Sequence, residues 1–506
     1  MTAERAAPPG HLWRRRRRLV VMRRFWDRLA GALLALLVLA SLALGWVLWS
    51  GILWPPLAEV GASPAYVVAG ASGYGNNPQL ALMPEWVNLL RYSPSDVGND
   101  VAVVSSGMTA VWTALQGLML SLQPAQWLAS KPITYAAVAE QSAAPLPAQP
   151  AHIVGLEVFL GYTAHWSSWE QALGGKAASG AADPHFDRIV ILPGSPVPDC
   201  TTGTGGATVD FLAGTAQGTA VALSASQYCA LVSGLTVQNT IPLAEVPTPA
   251  QGRTGGTPHL PVAPGVFAPA HFPWQPVQLK AEALDPTRLA ASVFPDANTV
   301  SERKLADGVQ FWNQADWVLT VTGGEAALVQ PAPAGAAPTP SWSAGLQQVV
   351  AYVSEHGGGW PPSTRLLRSA TVGSARQYLF TTTYQGLPVA PASGELPALN
   401  VQVSGVSTQP VVYVRDVPVP GPTLADAATA ISPVEAVAEV AATPPANLAP
   451  VLAASGSAQV VSLFPAWVPG NGKLEPAWAV GVADAQGVQT VLVDAFGGGI
   501  LGTESP

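Results

Sequence analysis

The stretch SAGLQQVVAYVSEHGGGWP (343–361), followed by RQYLFTTTYQGLPV (376–389), decides the fold class. In the first, Leu346, Val349, Val350 and Val353 recur at the spacing that puts them on one helix face, and Gly357 stands where a C-cap glycine belongs. In the second, Tyr378, Phe380, Thr382 and Tyr384 alternate with their neighbours, which is the period of a strand. Two further strand-like runs follow, LNVQVSGV (399–406) and QPVVYVRDV (409–417). A helix followed by strands close in sequence predicts an α+β unit with an antiparallel sheet.

The same order recurs downstream. Ser432, Pro433 and Glu435 in SPVEAVAEV (432–440) make a capping box with proline at the first helical position. VVSLFPAWVP (460–469) and LEPAWAVGVADAQGVQTVLVDAF (474–496) then read as strands joined by turns at NGK (471–473) and AQG (485–487). The chain is therefore expected to end in two tandem helix-plus-antiparallel-sheet modules, at 341–420 and 421–506.

Upstream, MTAVWTALQGLMLSL (108–122) carries Val111, Leu115 and Leu118 at helical spacing, while HIVGLEVFLGYTAHW (152–166) and FDRIVILPG (186–194) read as strands. Proline-rich stretches at 142–150, 246–265 and 331–341 cannot supply ladder donors and read as loops or linkers, placing domain limits near Pro150, His259 and Pro340. The expected organisation is an N-terminal α+β region with Pro-rich loops over 55–280 and a connecting strand region over 281–340.

The amino terminus is of another kind. Residues 1–28 hold nine arginines, including Arg14, Arg15, Arg16, Arg17, Arg18, Arg23, Arg24 and Arg28, against Glu4 and Asp27, a net +7. The whole chain carries −8, so the remainder carries −15 (−8 less +7) and would repel a polyanion; a nucleic-acid partner is not expected. From Leu29 to Ala58 there is no charged residue, and Leu29 to Trp49 reads LAGALLALLVLASLALGWVLW. As a helix that stretch spans roughly 32 Å, enough to cross a bilayer.

Residues 1–28 thus read as a basic cytoplasmic tail and 29–54 as a transmembrane anchor. The arginines set the topology, and Trp46, Trp49 and Trp54 anchor the far interface. A cleaved signal peptide has the same basic start, but its apolar region usually runs about 7–15 residues. Gly31, Ala32 and Ala35, then Ala40, Ala43 and Gly45, offer small-residue faces on which neighbouring helices could pack; Gly31, Ala35, Ala40 and Ala43 are the candidate partner contacts.

The chain as a whole has few charges (11%) but 49% apolar residues, with 49 glycines and 49 prolines, the composition of a folded, loop-rich protein. Cys200 and Cys229 lie in the part placed outside the membrane, where a disulfide can persist, so a bridge is the preferred reading over two free thiols; their spacing makes neither a redox nor a zinc motif.

No assembled chemistry stands out. His185 in DPHFD (183–187) has Asp183 and Asp187 beside it, too little for a coordination shell. Ser301 and Lys304 match S-x-x-K without a following K-T-G and read as part of a charged polar loop. GASGYG (70–75) and TGTGGA (202–207) lack the context of a phosphate loop or nucleophile elbow. Trp342, Trp360, Trp467 and Trp478 could dock a glycan or a partner from a sheet face, with core packing the alternative and the preferred reading for Trp478. No catalytic group, metal or cofactor is expected.

Several segments, in order, resemble the YycH/YycI family: SLALGWVLWSG (41–51), VFPDANTVSERKLADGVQFW (293–312), YVSEHGGGWP (352–361), RQYLFTTTYQGLPV (376–389), VVYVRDV (411–417), ISPVEAVAEV (431–440) and LEPAWAVGV (474–482). They cover the anchor and roughly residues 290–506; the cysteine pair and long Pro-rich inserts upstream depart from the family's pattern. The resemblance implies a non-enzymatic, membrane-anchored extracytoplasmic regulator of the WalK (YycG) sensor histidine kinase of Gram-positive bacteria. It implies as partners that kinase, a YycI-like membrane protein and the lipid bilayer. A membrane-tethered envelope enzyme or cell-wall glycan-binding protein is the alternative.

Overall fold

The computed structural model describes residues 58–59 and most of 78–504, leaving out several internal stretches, the longest being 91–100, 139–154, 176–182 and 248–259. The expected anchor and basic tail lie outside the described residues. Among the described residues no helix is long and apolar enough to cross a membrane.

The chain divides into two units. In the smaller, Met1–Glu59 with Ser301–Arg303, the described residues form a short antiparallel pair, Ala58 opposite Glu302 and Glu59 opposite Ser301. Ser301–Lys304, expected as a charged polar loop, is thus a strand. Its ladder partner is 242 positions away in sequence (301 less 59), so no local pattern announces it.

Among its described residues the larger unit, Val60–Val300 with Lys304–Pro506, holds three large antiparallel sheets and a two-stranded pair, Thr383–Tyr384 with Leu387–Pro388. The N-terminal sheet runs Phe267–Pro269, Thr240–Glu245, Val101–Val103, Trp86–Leu90, Gly155–His165, His185–Pro193, Gly206–Leu212, Gly218–Ser224, Lys131–Ile133. It is buried on both faces, and strand parity sorts its side chains between two cores. Val87, Leu89, Val158, Ile189, Ile191, Val209 and Phe211 share a core with Gly107–Leu120, Trp166–Ala172 and Ala225–Gly234. Trp86, Leu90, Phe159, Val190, Leu192 and Leu212 point the other way, into a core shared with the C-terminal sheet.

The central sheet runs Gly308–Trp312, Val318–Thr322, Glu325–Val329, Pro410–Asp416, Leu399–Ser404, Ala375–Thr381, Arg365–Val372. The helix Trp342–Glu355 lays Leu346, Val349, Val350 and Val353 in the same core as Tyr378, Phe380, Val401 and Tyr413. Gly345 lets the helix come close: a Cβ there would stand 2.4 Å from the Tyr378 hydroxyl. Ser341 caps the helix by accepting from the Ala344 N–H at 3.3 Å. The cap expected at Gly357 falls instead at His356, and the left-handed turn follows at Gly358 and Gly359, at φ +83° and +90°. Gly357 serves instead as a close-packing position, where a Cβ would sit 2.9 Å from both the Tyr413 hydroxyl and Val353 Cα.

The C-terminal sheet runs Val419–Thr423, Val277–Lys280, Lys473–Asp484, Gly487–Asp494, Ile500–Glu504, with Gln459–Gly470 also paired to Lys473–Asp484. Ala436, Val437 and Val440 of the helix Pro433–Ala442 join its core. The Ser432 capping box forms: Glu435 N–H donates to Ser432 Oγ at 3.3 Å and Ser432 N–H to Glu435 Oε2 at 2.7 Å.

The fold class is therefore α+β, and helix-plus-sheet groupings occur in both terminal segments. Both sheets also take strands from further upstream. Glu325–Val329 pairs with Pro410–Asp416, so the sheet continues across the limit expected near Pro340, and Val277–Lys280 adds to a sheet that otherwise begins at Val419. Open ladder edges of apolar strands are satisfied by any strand of matching pattern, whatever its distance in sequence.

Candidate functional site: a cleft and the buried arginines around it

Three arginines that sequence reading did not single out organise the polar interior of the larger unit. Arg415 lies on the inward face of Pro410–Asp416, its side chain 3% exposed. It donates to Glu282 twice, Nε to Oε2 at 2.7 Å and Nη2 to Oε1 at 2.5 Å. Its Nη1 donates to the carbonyls of Gly357 at 3.0 Å and Gly359 at 2.6 Å, so one guanidinium holds the glycine turn that ends the Trp342 helix. Tyr413 Oη donates to the same Gly357 carbonyl at 2.5 Å. Burial acts to lower the Arg415 guanidinium and the bonds to Glu282 outweigh it, leaving it above its ordinary value.

Arg188 does the corresponding work between the N-terminal and C-terminal sheets. It donates to Glu157 Oε1 at 3.4 Å and to the Val461 carbonyl at 2.9 Å. Its guanidinium lies 4.5 Å from the Phe159 ring centroid and 5.1 Å from that of Tyr135, a cation–π setting. Glu157 accepts from Asn88 Nδ2 at 3.0 Å, and Asn88 Oδ1 accepts from Trp86 Nε1 at 2.7 Å, which closes the chain of bonds. The same sheet face carries Asp210, fully buried, with Oδ1 unpartnered and Oδ2 accepting from Thr208 at 3.3 Å; burial pushes its carboxyl up to about 7.

Arg365 of the central sheet donates to the carbonyls of Pro84 and, at 3.2 Å, Glu85. Burial pushes the Glu85 carboxyl up to about 7 against the pull of Arg365. Glu504, on the last strand of the C-terminal sheet, has a buried Oε1 without a partner and is pushed up to about 8 by burial and by the charge of Glu85.

Beside the Arg415 cluster an open cleft of about 500 Å3 lies between the central and C-terminal sheets. Its lining includes Lys280, Ala281, Gly323, Val389, Asp416, Val417 and the 469–472 hairpin turn. The Gly323–Gly324 turn is held against the chain at Ala281 and Glu282 so closely that a Cβ on Gly324 would meet Ala281 Cβ at 2.9 Å.

Cys200 and Cys229 form a disulfide, Cα to Cα 5.5 Å, which ties the 197–205 loop to the helix Ala225–Gly234. Within that loop Asp199 accepts from the Thr201 and Thr202 hydroxyls at 2.6 and 2.8 Å, and these bonds hold its carboxyl well below the usual range. His185 opens a strand; its ring centroid is 5.7 Å from that of His165, while Asp183 accepts from Ser167 and Asp187 from the Gly214 N–H. No group of three potential metal ligands occurs among the described residues. Trp342, Trp360, Trp467 and Trp478 are all buried, 8%, 6%, 1% and 1% exposed, so none is offered to a glycan.

Gly31, Ala35, Ala40, Ala43, the arginines of the tail and Trp46, Trp49 and Trp54 lie outside the described residues. One signal for the missed arginine was present: in YVRDV, Arg415 has the parity of Tyr413 and Val417, both buried, and an inward-facing arginine demands a partner.

No family model and no curated protein matches the sequence. In structure the chain is similar to YycH from Bacillus subtilis, at 11% identity over 84% of this chain and 96% of that one, with a TM-score of 0.46. It is similar also to the YpeB C-terminal domain of Bacillus megaterium, at 9% identity over 44% of this chain and 98% of that one, with a TM-score of 0.30. At these identities each likeness concerns the fold alone.

Proposed function

We propose that this chain is a non-enzymatic, membrane-anchored accessory regulator of a WalK-type sensor histidine kinase controlling cell-wall metabolism. In this reading the N-terminus is cytoplasmic, the bulk is extracytoplasmic, and the chain acts through transmembrane and outer contacts beside a YycI-like membrane protein. The observation that carries it is the ordered run of segments resembling YycH/YycI, from 41–51 to 474–482. The arginine-flanked apolar segment supports the topology. The buried arginines add weight to the contact-based reading, since they are engaged in holding strands and turns together, and a regulator that works by contact needs outer domains that move as rigid pieces.

Such a regulator shifts its kinase only by contacting two transmembrane arrangements unequally. The test is photo-crosslinking from positions 33–48 of the full chain in its native membrane, with captured proteins identified by mass spectrometry. A captured histidine kinase is the expected result. Capture of cell-wall synthesis proteins, or of lipid alone, would overturn the proposal. Bulky replacement at Ala40 or Ala43 is expected to alter transcription of the kinase's target genes at unchanged protein level.

A further inference from the structure

Folding brings to His185 a partner that its neighbours in sequence do not supply. His165 and His185 stand directly opposite each other in the ladder between Gly155–His165 and His185–Pro193. Both are exposed, the His165 side chain 63% so. The next pair inward, Ala164 opposite Phe186, is buried, and the Trp166 N–H donates to the Pro184 carbonyl at 3.0 Å, so the backbone beneath both imidazoles is fixed. Directly opposed residues project from one face of a sheet, which sets the two rings side by side, their centroids 5.7 Å apart and their planes 30° from parallel. Two carboxylates flank them. Asp183 Oδ2 is 3.9 Å from His165 Nδ1 and accepts from the Ser167 hydroxyl at 3.0 Å, while Asp183 Oδ1 accepts from the Ser167 N–H at 2.7 Å. Asp187 has the strand parity of His185, with its Oδ2 accepting from the Gly214 N–H at 3.2 Å.

That spacing suits a single ion between the two rings. A nitrogen-to-metal bond of about 2.1 Å, with about 1.1 Å from nitrogen to ring centre, puts a cation about 3.2 Å from each centroid. Two rings on such an ion stand about 5.2 Å apart at a tetrahedral angle and about 6.4 Å apart in line, and the 5.7 Å between His165 and His185 falls within these limits. With Nδ1 turned to Asp183, His165 has Nε2 left for the ion, the arrangement in which an outer carboxylate orients a ligating imidazole. Imidazoles favour zinc, copper and nickel over magnesium and calcium, and two carboxylates offset the charge of a divalent ion. We propose that His165 and His185 together bind a late first-row divalent cation of the zinc type, with Asp183 as the orienting carboxylate and water completing the shell. Among the described residues no group of three ligands forms, so the ion is held by the imidazole pair and stays open to exchange. The assignment does not depend on the kinase reading.

The test titrates zinc alone, by calorimetry, into the full untagged chain in nanodiscs of zwitterionic lipid. One equivalent is expected to bind, with no competition from magnesium. His165→Ala and His185→Ala should each weaken binding about 100-fold, since the second imidazole acts at high effective concentration once the first is engaged. Asp183→Asn should weaken it about tenfold, the lower end for loss of an orienting partner. Zinc should also shield His165 and His185, and no other histidine, from acylation by diethyl pyrocarbonate, read by mass spectrometry. Absence of binding by the unaltered chain, an affinity unchanged in any of the three variants, or shielding of other histidines in place of this pair would each overturn the proposal. Should a variant fail to fold, the shielding pattern on the unaltered chain still decides.

Discussion

Arg415 reaches Glu282 across 133 positions of sequence with two bonds of 2.7 and 2.5 Å, and with its remaining donors holds the carbonyls of Gly357 and Gly359. One side chain thereby fixes the start of the central region, the end of its helix and a strand of its sheet. Removing it as Arg415→Met leaves a largely buried carboxylate and two carbonyls without their donor. A loss of about 3–5 kcal/mol is expected in urea unfolding. Glu282→Gln in that background should recover part of it, because the unpaired charge is gone; an additive double variant would refute the pairing as the cause.

Arg188→Met is expected to separate two effects. Unfolding free energy should fall by a similar order, since the buried Glu157 carboxylate loses the cation that neutralises it. Hydrogen exchange should quicken most in the C-terminal sheet around Val461, whose carbonyl loses its donor from the N-terminal sheet. Uniform acceleration across the chain would mean that Arg188 does not link the two sheets.

Glu85, Asp210 and Glu504 have carboxyls pushed up to about 7, 7 and 8 by burial. A carboxyl raised on folding binds more protons in the folded than in the unfolded chain, so its contribution to stability is full below the ordinary carboxylate range and is lost as pH rises through the folded value. Thermal stability is therefore expected to decline between about pH 5 and pH 8. Glu504→Gln and Asp210→Asn should each flatten that decline in melting curves, and an unchanged slope in both would remove these groups as its source.

Gly345→Ala places a Cβ 2.4 Å from the Tyr378 hydroxyl and 3.1 Å from its ring. The helix must shift off the sheet, at about 1–3 kcal/mol, the usual range for overpacking. Tyr378→Phe removes the nearer atom and should restore part of the stability of Gly345→Ala, even though Tyr378 Oη normally donates to the Trp342 carbonyl.

Reduction of the Cys200–Cys229 bond opens a loop of 29 positions, for which the chain-entropy account gives about 3–4 kcal/mol. The double variant Cys200→Ser, Cys229→Ser should melt like the reduced protein and no longer respond to dithiothreitol.

What the sequence by itself determined is local. The helix Trp342–Glu355, the Ser432 capping box and the alternating strands from 376 to 417 and 460 to 494 could be read because their periodicity and caps lie within a few neighbouring residues. The charge asymmetry and the apolar run at 29–49 belong to the same class of evidence.

Only the tertiary structure decided which strands share a sheet, that Ser301–Lys304 is one of them, that four tryptophans are buried, and that Arg188, Arg365 and Arg415 hold remote segments together. Each depends on a partner distant in sequence. A ladder edge, or a guanidinium taken out of water, must be satisfied by whatever the packed chain brings to it. That need is visible in the sequence as a residue of the wrong polarity on a buried face, but the partner's identity exists only after folding. The cleft follows the same logic, because Lys280 and Asp416, 136 positions apart (416 less 280), come to line one cavity only where two sheets meet.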